Sequence, residues 1–117
     1  MLEFDMTIWR SQSDTQPIAT KIGTPALLEQ LGEECAELGK AALKEARRLR
    51  NENPTPVTEK EARENLAEEA ADVMNCLVEL SRIYFDVDQY GTIRARKVKR
   101  WHERLADFFK KKEGKNK

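Results

Sequence analysis

Two short segments carry the side chains able to do chemistry, Glu34-Cys35-Ala36-Glu37 and Glu69-Ala70-Ala71-Asp72. On a helix, positions i and i+3 share a face. Each segment therefore aims two carboxylates from one side of one rod. Two such rods packed together gather Glu34, Glu37, Glu69 and Asp72 in one cleft. Left alone, these groups repel and some retain protons. A hard divalent cation relieves the repulsion, because Mg²⁺ binds oxygen ligands and bridges them to phosphates. The chemistry expected is metal-dependent chemistry on phosphates.

Helix geometry sharpens this. At about 100° per residue, and with Leu31 as reference, Glu34 lies about 60° and Glu37 about 120° to one side. With Leu66 as reference, Glu69 and Asp72 fall at about the same two angles with the same hand. Both pairs border their apolar stripes. Glu33 and Glu68 lie about 160° from the stripe, facing solvent or backing a ligand. An antiparallel hairpin joins residues equidistant from its turn. The pairs Glu37/Glu69 and Glu34/Asp72 share the midpoint 53, inside the breaker 51–56. Glu37 is expected opposite Glu69, and Glu34 opposite Asp72.

The ligand types narrow the metal. Di-iron bundles use Glu-x-x-His pairs. The single histidine, His102, has Lys99 three residues before it. Zinc hydrolases need His or Cys ligands that this chain cannot assemble. All-oxygen sites suit Mg²⁺, with Mn²⁺ as the substitute.

The elements that must position these groups are helical, with no persistent strand pattern. Residues 1–23 form an N-terminal arm or short helix, and 13–23, holding Ser13, Pro17 and Gly23, read as a connector. The next helix opens with Thr24 as N-cap and Pro25 in the first helical position. Its stripe is Leu27, Leu28, Leu31, Cys35, Leu38, Ala42 and Leu49, and it runs to about Arg50. Asn51 to Pro56 break it. Thr58 followed by Glu61 has capping-box spacing and starts a helix with the stripe Ala62, Leu66, Ala70, Val73, Leu77, Leu80 and Tyr84. Residues 86–91 read as a turn, 92–112 as a last helix and 113–117 as a frayed tail. Leu31 to Leu38 matches Leu66 to Val73 at an offset of 35, which describes two similar facing helices.

Composition agrees with a single all-α domain spanning 1–117: 36% of residues are charged and mean hydropathy is −0.75. So small a helical layer has little core of its own. The expected architecture is an antiparallel helical hairpin with flanking helices, completed as a four-helix bundle by a homodimer or homotetramer. Apolar runs fall short of a membrane span, and Glu3, Phe4 and Asp5 interrupt any signal-peptide run, so the expected location is cytoplasmic. Cys35 and Cys76 match neither a disulfide framework nor a zinc site and read as small apolar residues. The net charge of zero hides an asymmetry. Residues 94–117 hold 11 Lys/Arg against 3 Asp/Glu, a balance of +8, which leaves −8 for the rest.

The residues Glu33-Glu34-Cys35-Ala36-Glu37 and Glu69-Ala70-Ala71-Asp72, within helices carrying Leu27 to Leu49 and Leu66 to Leu80, resemble the MazG-like all-α nucleoside triphosphate pyrophosphohydrolases over roughly 20–105. The resemblance implies Mg²⁺-dependent cleavage of an NTP or dNTP to the monophosphate and pyrophosphate. It makes Glu34, Glu37, Glu69 and Asp72 the metal ligands, with Glu33 assisting from behind. It makes Lys97 and Arg100, with Arg104 as a weaker partner, the phosphate contacts of the last helix. Where the family often has an asparagine one turn after the lysine, this chain has Trp101. For the base, Trp9 could stack, and Gln30 lies on the flank of Glu34. Two rival readings are a nucleic-acid-binding module using the basic residues 94–112 and a silent scaffold that kept the bundle.

Overall fold

The computed structural model describes residues 17–52 and 57–115. It holds α1 (Ile18–Ile22), α2 (Thr24–Leu49), α3 (Glu59–Ile83) and α4 (Val87–Lys115), with no strand among the described residues. The chain is all-α. It divides into two compact units, Met1–Tyr84 and Phe85–Lys117.

In the first unit, α2 and α3 form an antiparallel hairpin, and α1 packs against both. Local chemistry sets each boundary. Gly23, at φ 85°, separates α1 from α2 in a conformation that costs a glycine little. Helix α2 begins at Thr24 with Gly23 in the capping position, so Thr24 lies inside the helix and gives no side-chain cap; Pro25 still falls in the first turn. At the other end, Arg50 caps the helix and Asn51 turns left-handed at φ 57°. The Asn51 and Glu52 amides donate to the Arg48 and Arg47 carbonyls, each at 3.1 Å. This Schellman closure stops α2 where asparagine tolerates positive φ. Helix α3 opens on the expected capping box. Glu61 N–H donates to Thr58 Oγ1 at 3.1 Å, and Thr58 N–H donates to Glu61 Oε2 at 3.4 Å.

The buried and half-buried positions of α2 include 27, 31, 34, 38, 41, 45 and 48, and those of α3 include 62, 66, 69, 73, 76 and 80. Both sets advance by alternating threes and fours, the spacing of a coiled-coil seam. This seam differs from the expected stripe. Leu28, Cys35, Ala42 and Leu49 are exposed, and Tyr84 ends α3 exposed. A 3.5-residue repeat selects Glu34, Ala41 and Glu45 instead, because facing helices keep one narrow contact line in register.

The tightest packing lies at the end away from the hairpin loop. Leu80 is fully buried and Leu27 is 2% exposed, each contributing about 1.5–3 kcal/mol by removal from water. Here α1 covers the back of α3, so burial wraps around Val78, Glu79, Leu80 and Ser81. The expected connector thus contains a helix. Buried Glu79 accepts the Ala19 N–H at 3.1 Å and pairs with Arg82 at 3.3 Å, satisfying one of the amides that a helix start leaves without a partner.

The second unit is α4 with its entry. Asp86 Oδ1 accepts the Asp88 and Gln89 amides at 3.0 and 3.4 Å. This N-cap starts the helix at Val87, five residues before the expected 92, so Gly91 is helical. The helix also reaches Lys115, into the segment expected to fray. Phe85 stacks on Tyr90 at 6.5 Å, and Phe108 meets Phe109 edge-on at 5.5 Å. No helix among the described residues is long and apolar enough to cross a membrane.

Candidate functional site

The hairpin brings carboxylates from both helices together. Glu34 of α2 and Glu69 and Asp72 of α3 each present an oxygen, and these atoms all lie within 4.8 Å of one another. Glu34 and Glu69 are half-buried and Asp72 is exposed. Two of the three thus occupy seam positions, where the same repeat elsewhere places Leu31, Leu38, Leu66 and Val73. Acidic groups in a hydrophobic seam cost stability unless something balances them.

The electrostatics record that imbalance. Glu69 holds its proton above the ordinary glutamate range. Partial loss of water is the main cause, and the charges of Asp72, Glu37, Glu34 and Glu68 add to it. Cys76, buried on the same helix, has its thiol pushed up by burial and by Glu34, Asp72 and Cys35. A protonated thiol is a poor metal ligand, so the usable donors here are carboxylate oxygens. Both cysteines are free; Cys76 is buried as expected, whereas Cys35 is exposed.

Each expected site residue has a definite place. Glu37 is exposed and outside the three-oxygen group, yet it lines a cavity together with Glu69. Gln30 donates from Nε2 to Glu34 Oε1 at 2.6 Å, so its amide orients a cluster carboxylate. Glu33 is exposed and outside the group. Lys97, Arg100 and Arg104 lie on α4 in the second unit, all exposed, as is Trp101. Trp9 lies outside the described residues.

Sequence reasoning passed over the residues beyond Glu37. The cavity between α2 and α3 is about 200 Å³ and is lined by Lys40, Lys44 and Asn65 as well as by Glu37 and Glu69. A signal existed: Glu37, Lys40, Lys44 and Arg48 continue one helical face at steps of three and four. Arg48 is committed internally. Its Nη2 lies 2.7 Å from Glu45 Oε1, and that contact holds the Glu45 carboxyl below its usual range.

A cation fits the donor set. The three carboxylate oxygens from two helices are a group able to hold a metal ion, and oxygen donors are those that hard ions take. Comparison of the chain with protein-family models, with curated proteins and with solved structures finds no match.

Proposed function

We propose that this chain is a Mg²⁺-dependent nucleotide pyrophosphohydrolase of the MazG-like kind, cleaving an NTP or dNTP to its monophosphate and pyrophosphate. The observation that carries the reading is the convergence of Glu34, Glu69 and Asp72 across the hairpin, with oxygens within 4.8 Å of one another. The motif resemblance supplies the reaction class.

In this reading Glu34, Glu69 and Asp72 hold the cation, and Glu37 closes the set from the edge of the adjoining cavity. Gln30 fixes one Glu34 oxygen and leaves the other for coordination. Glu69, whose proton affinity is raised by partial loss of water and by its acidic neighbours, would hold the cation in its deprotonated form. Bound Mg²⁺ supplies neutralisation of phosphate charge and a lower pKa for water. Lys97 and Arg100 enter only through the resemblance, as phosphate contacts.

A homo-oligomer belongs to the proposal, because paired hairpins complete four-helix bundles. Leu43 at 62% and Leu49 at 69% exposure support it, since α2 leaves apolar side chains uncovered outside its seam. The test is a screen of NTPs and dNTPs for pyrophosphate release, with Mg²⁺, with Mn²⁺ and with chelator. Asp72→Asn or Glu37→Gln should abolish release while helicity persists; full turnover in either variant rejects the site. The basic, exposed α4 favours nucleic-acid binding as the second reading. It requires a gel shift at low salt that weakens steeply as salt rises, and no shift removes it.

A further inference from the structure

The groove between α2 and α3 changes character along its length. At the cluster it is acidic. One turn nearer the hairpin loop it opens into the cavity of about 200 Å³, where Lys40 and Lys44 stand on the wall beyond Glu37. The cavity exists because Ala41 and Ala62 line it where larger side chains would fill it. Lys40 and Lys44 are separated by four residues, so both ammonium groups serve the same face. Along the helix axis they follow Glu37 by about 4.5 and 10.5 Å.

The same cavity is lined by three carboxylates, Glu37, Glu45 and Glu69. Arg48, a turn further on, is clamped by Glu45 at 2.7 Å. Neither Lys40 nor Lys44 has a carboxylate within 4.0 Å among the described residues, although the chain carries as many acidic as basic groups. Across the groove Asn65 adds an amide, able to donate two hydrogen bonds. Glu45 is paired with Arg48, and in the proposed function Glu37 and Glu69 serve the cation; Lys40, Lys44 and Asn65 are then the polar groups of the wall left for an anion that binds with the cation. The cavity's size is below the roughly 300–1,000 Å³ of pockets that enclose drug-sized ligands. A phosphate chain fits.

We propose that Lys40 and Lys44, with Asn65, form the subsite for the pyrophosphoryl tail of the substrate, next to the carboxylate cluster. The proposal rests on the hydrolase reading for the identity of the substrate and for the cation that offsets Glu37 and Glu69. It gives the groove a polarity. The reacting end of a phosphate chain would lie at the carboxylate cluster, and its tail would run toward the loop along the lysines. It also places anion recognition on the hairpin's own α2.

Inorganic pyrophosphate is the probe, titrated by calorimetry into the full chain with Mg²⁺ present. The wild type is expected to bind it, and Lys40→Gln/Lys44→Gln to bind it at least tenfold more weakly. Mg²⁺ binding without pyrophosphate should be unchanged in that variant. A control, Lys21→Gln/Arg47→Gln, removes the same charge from exposed positions outside the cavity and should retain pyrophosphate affinity. Ala41→Met, which fills the cavity without altering charge, should weaken pyrophosphate as well. Absence of binding by the wild type, or equal affinity in Lys40→Gln/Lys44→Gln and wild type, overturns the subsite. Turnover separates the two claims. Should the wild type release pyrophosphate from an NTP while Lys40→Gln/Lys44→Gln keeps its KM and its product inhibition, the subsite is wrong and the hydrolase stands. Should pyrophosphate bind through the lysines while no NTP or dNTP is cleaved, the hydrolase is wrong and the subsite stands.

Discussion

The two ends of the α2/α3 groove use the same kind of residue to opposite effect. Toward the loop, Glu45 sits in the seam with Arg48 held against it at 2.7 Å, and its proton affinity falls. Toward the middle, Glu69 sits in the seam with Glu34 and Asp72 for company, and its proton affinity rises. Where the chain supplies the counter-charge, a seam glutamate is part of the scaffold. Where it supplies more negative charge, a seam glutamate holds its proton more tightly. That contrast, more than acidity itself, singles out the cluster.

The largest effect that would break the comparison is on catalysis. Glu69→Gln should lower pyrophosphate release at least about 100-fold, at or beyond the upper end of the effect of losing a ligand's supporting contact. Glu45→Gln should leave turnover within a factor of a few. Equal losses in the two variants would erase the distinction. Next in size is stabilisation by the cation. At a hundredfold excess over Kd, Mg²⁺ should stabilise the fold by about 2.7 kcal/mol, a rise in Tm on the order of 10 °C. The rise should be present at pH 8 and shrink in acid, where Glu69 keeps its proton. Thermal melts with Mg²⁺ and with chelator, at both pH values, measure it; the same increment in Glu69→Gln would locate the cation elsewhere.

Without metal, the two glutamates should bend the pH–stability curve in opposite directions. The folded pKa of Glu69 is raised, so between the ordinary glutamate range and that raised value the folded state binds more protons than the unfolded one. Stability then falls as pH rises through the window. The folded pKa of Glu45 is lowered, so its contribution is present above the ordinary range and is lost as pH falls toward the lowered value. Urea midpoints against pH, in chelator, should show Glu69→Gln flattening the loss on the alkaline side and Glu45→Gln flattening the loss on the acid side. An unchanged alkaline side in Glu69→Gln would mean that its neighbours do not act on it.

Much of this was legible in the residues. Thr58 and Glu61 announced the start of α3, and Asn51 the end of α2, because both signals are local hydrogen-bond chemistry. The registry about residue 53 anticipated a meeting of the two helices' carboxylates. Position around the helix was less legible. An ideal 3.6-residue period placed Glu34 and Glu69 beside the apolar stripe, whereas the packed hairpin follows a 3.5-residue line that runs through them. Hydrophobicity misled at Leu28, Ala42 and Leu49, since an apolar side chain does not reveal whether a partner covers it. The short α1 was hidden because its stability comes from Glu79, sixty residues away from Ala19 in the chain. Lys40 and Lys44 were overlooked because a lysine on a helix is ordinarily a solvated one; only the cavity beside them singles them out.

The smallest effect tests the other half of the contrast, that the loop end is scaffold. The Thr58 side chain accepts the Glu61 amide at 3.1 Å and begins α3 in the register that carries Glu69 and Asp72 to Glu34. Thr58→Ala removes that acceptor and should cost about 1 kcal/mol, read as a lower urea midpoint with an unchanged slope. The rest of α3 is held by Val73, Cys76 and Leu80, far from the cap. The helix should therefore fray by a residue or two at its start rather than slide. Mg²⁺ affinity by calorimetry should be the same in Thr58→Ala as in the wild type. Weaker binding would mean that the cap sets the carboxylate geometry directly and that the two ends of the groove work as one device.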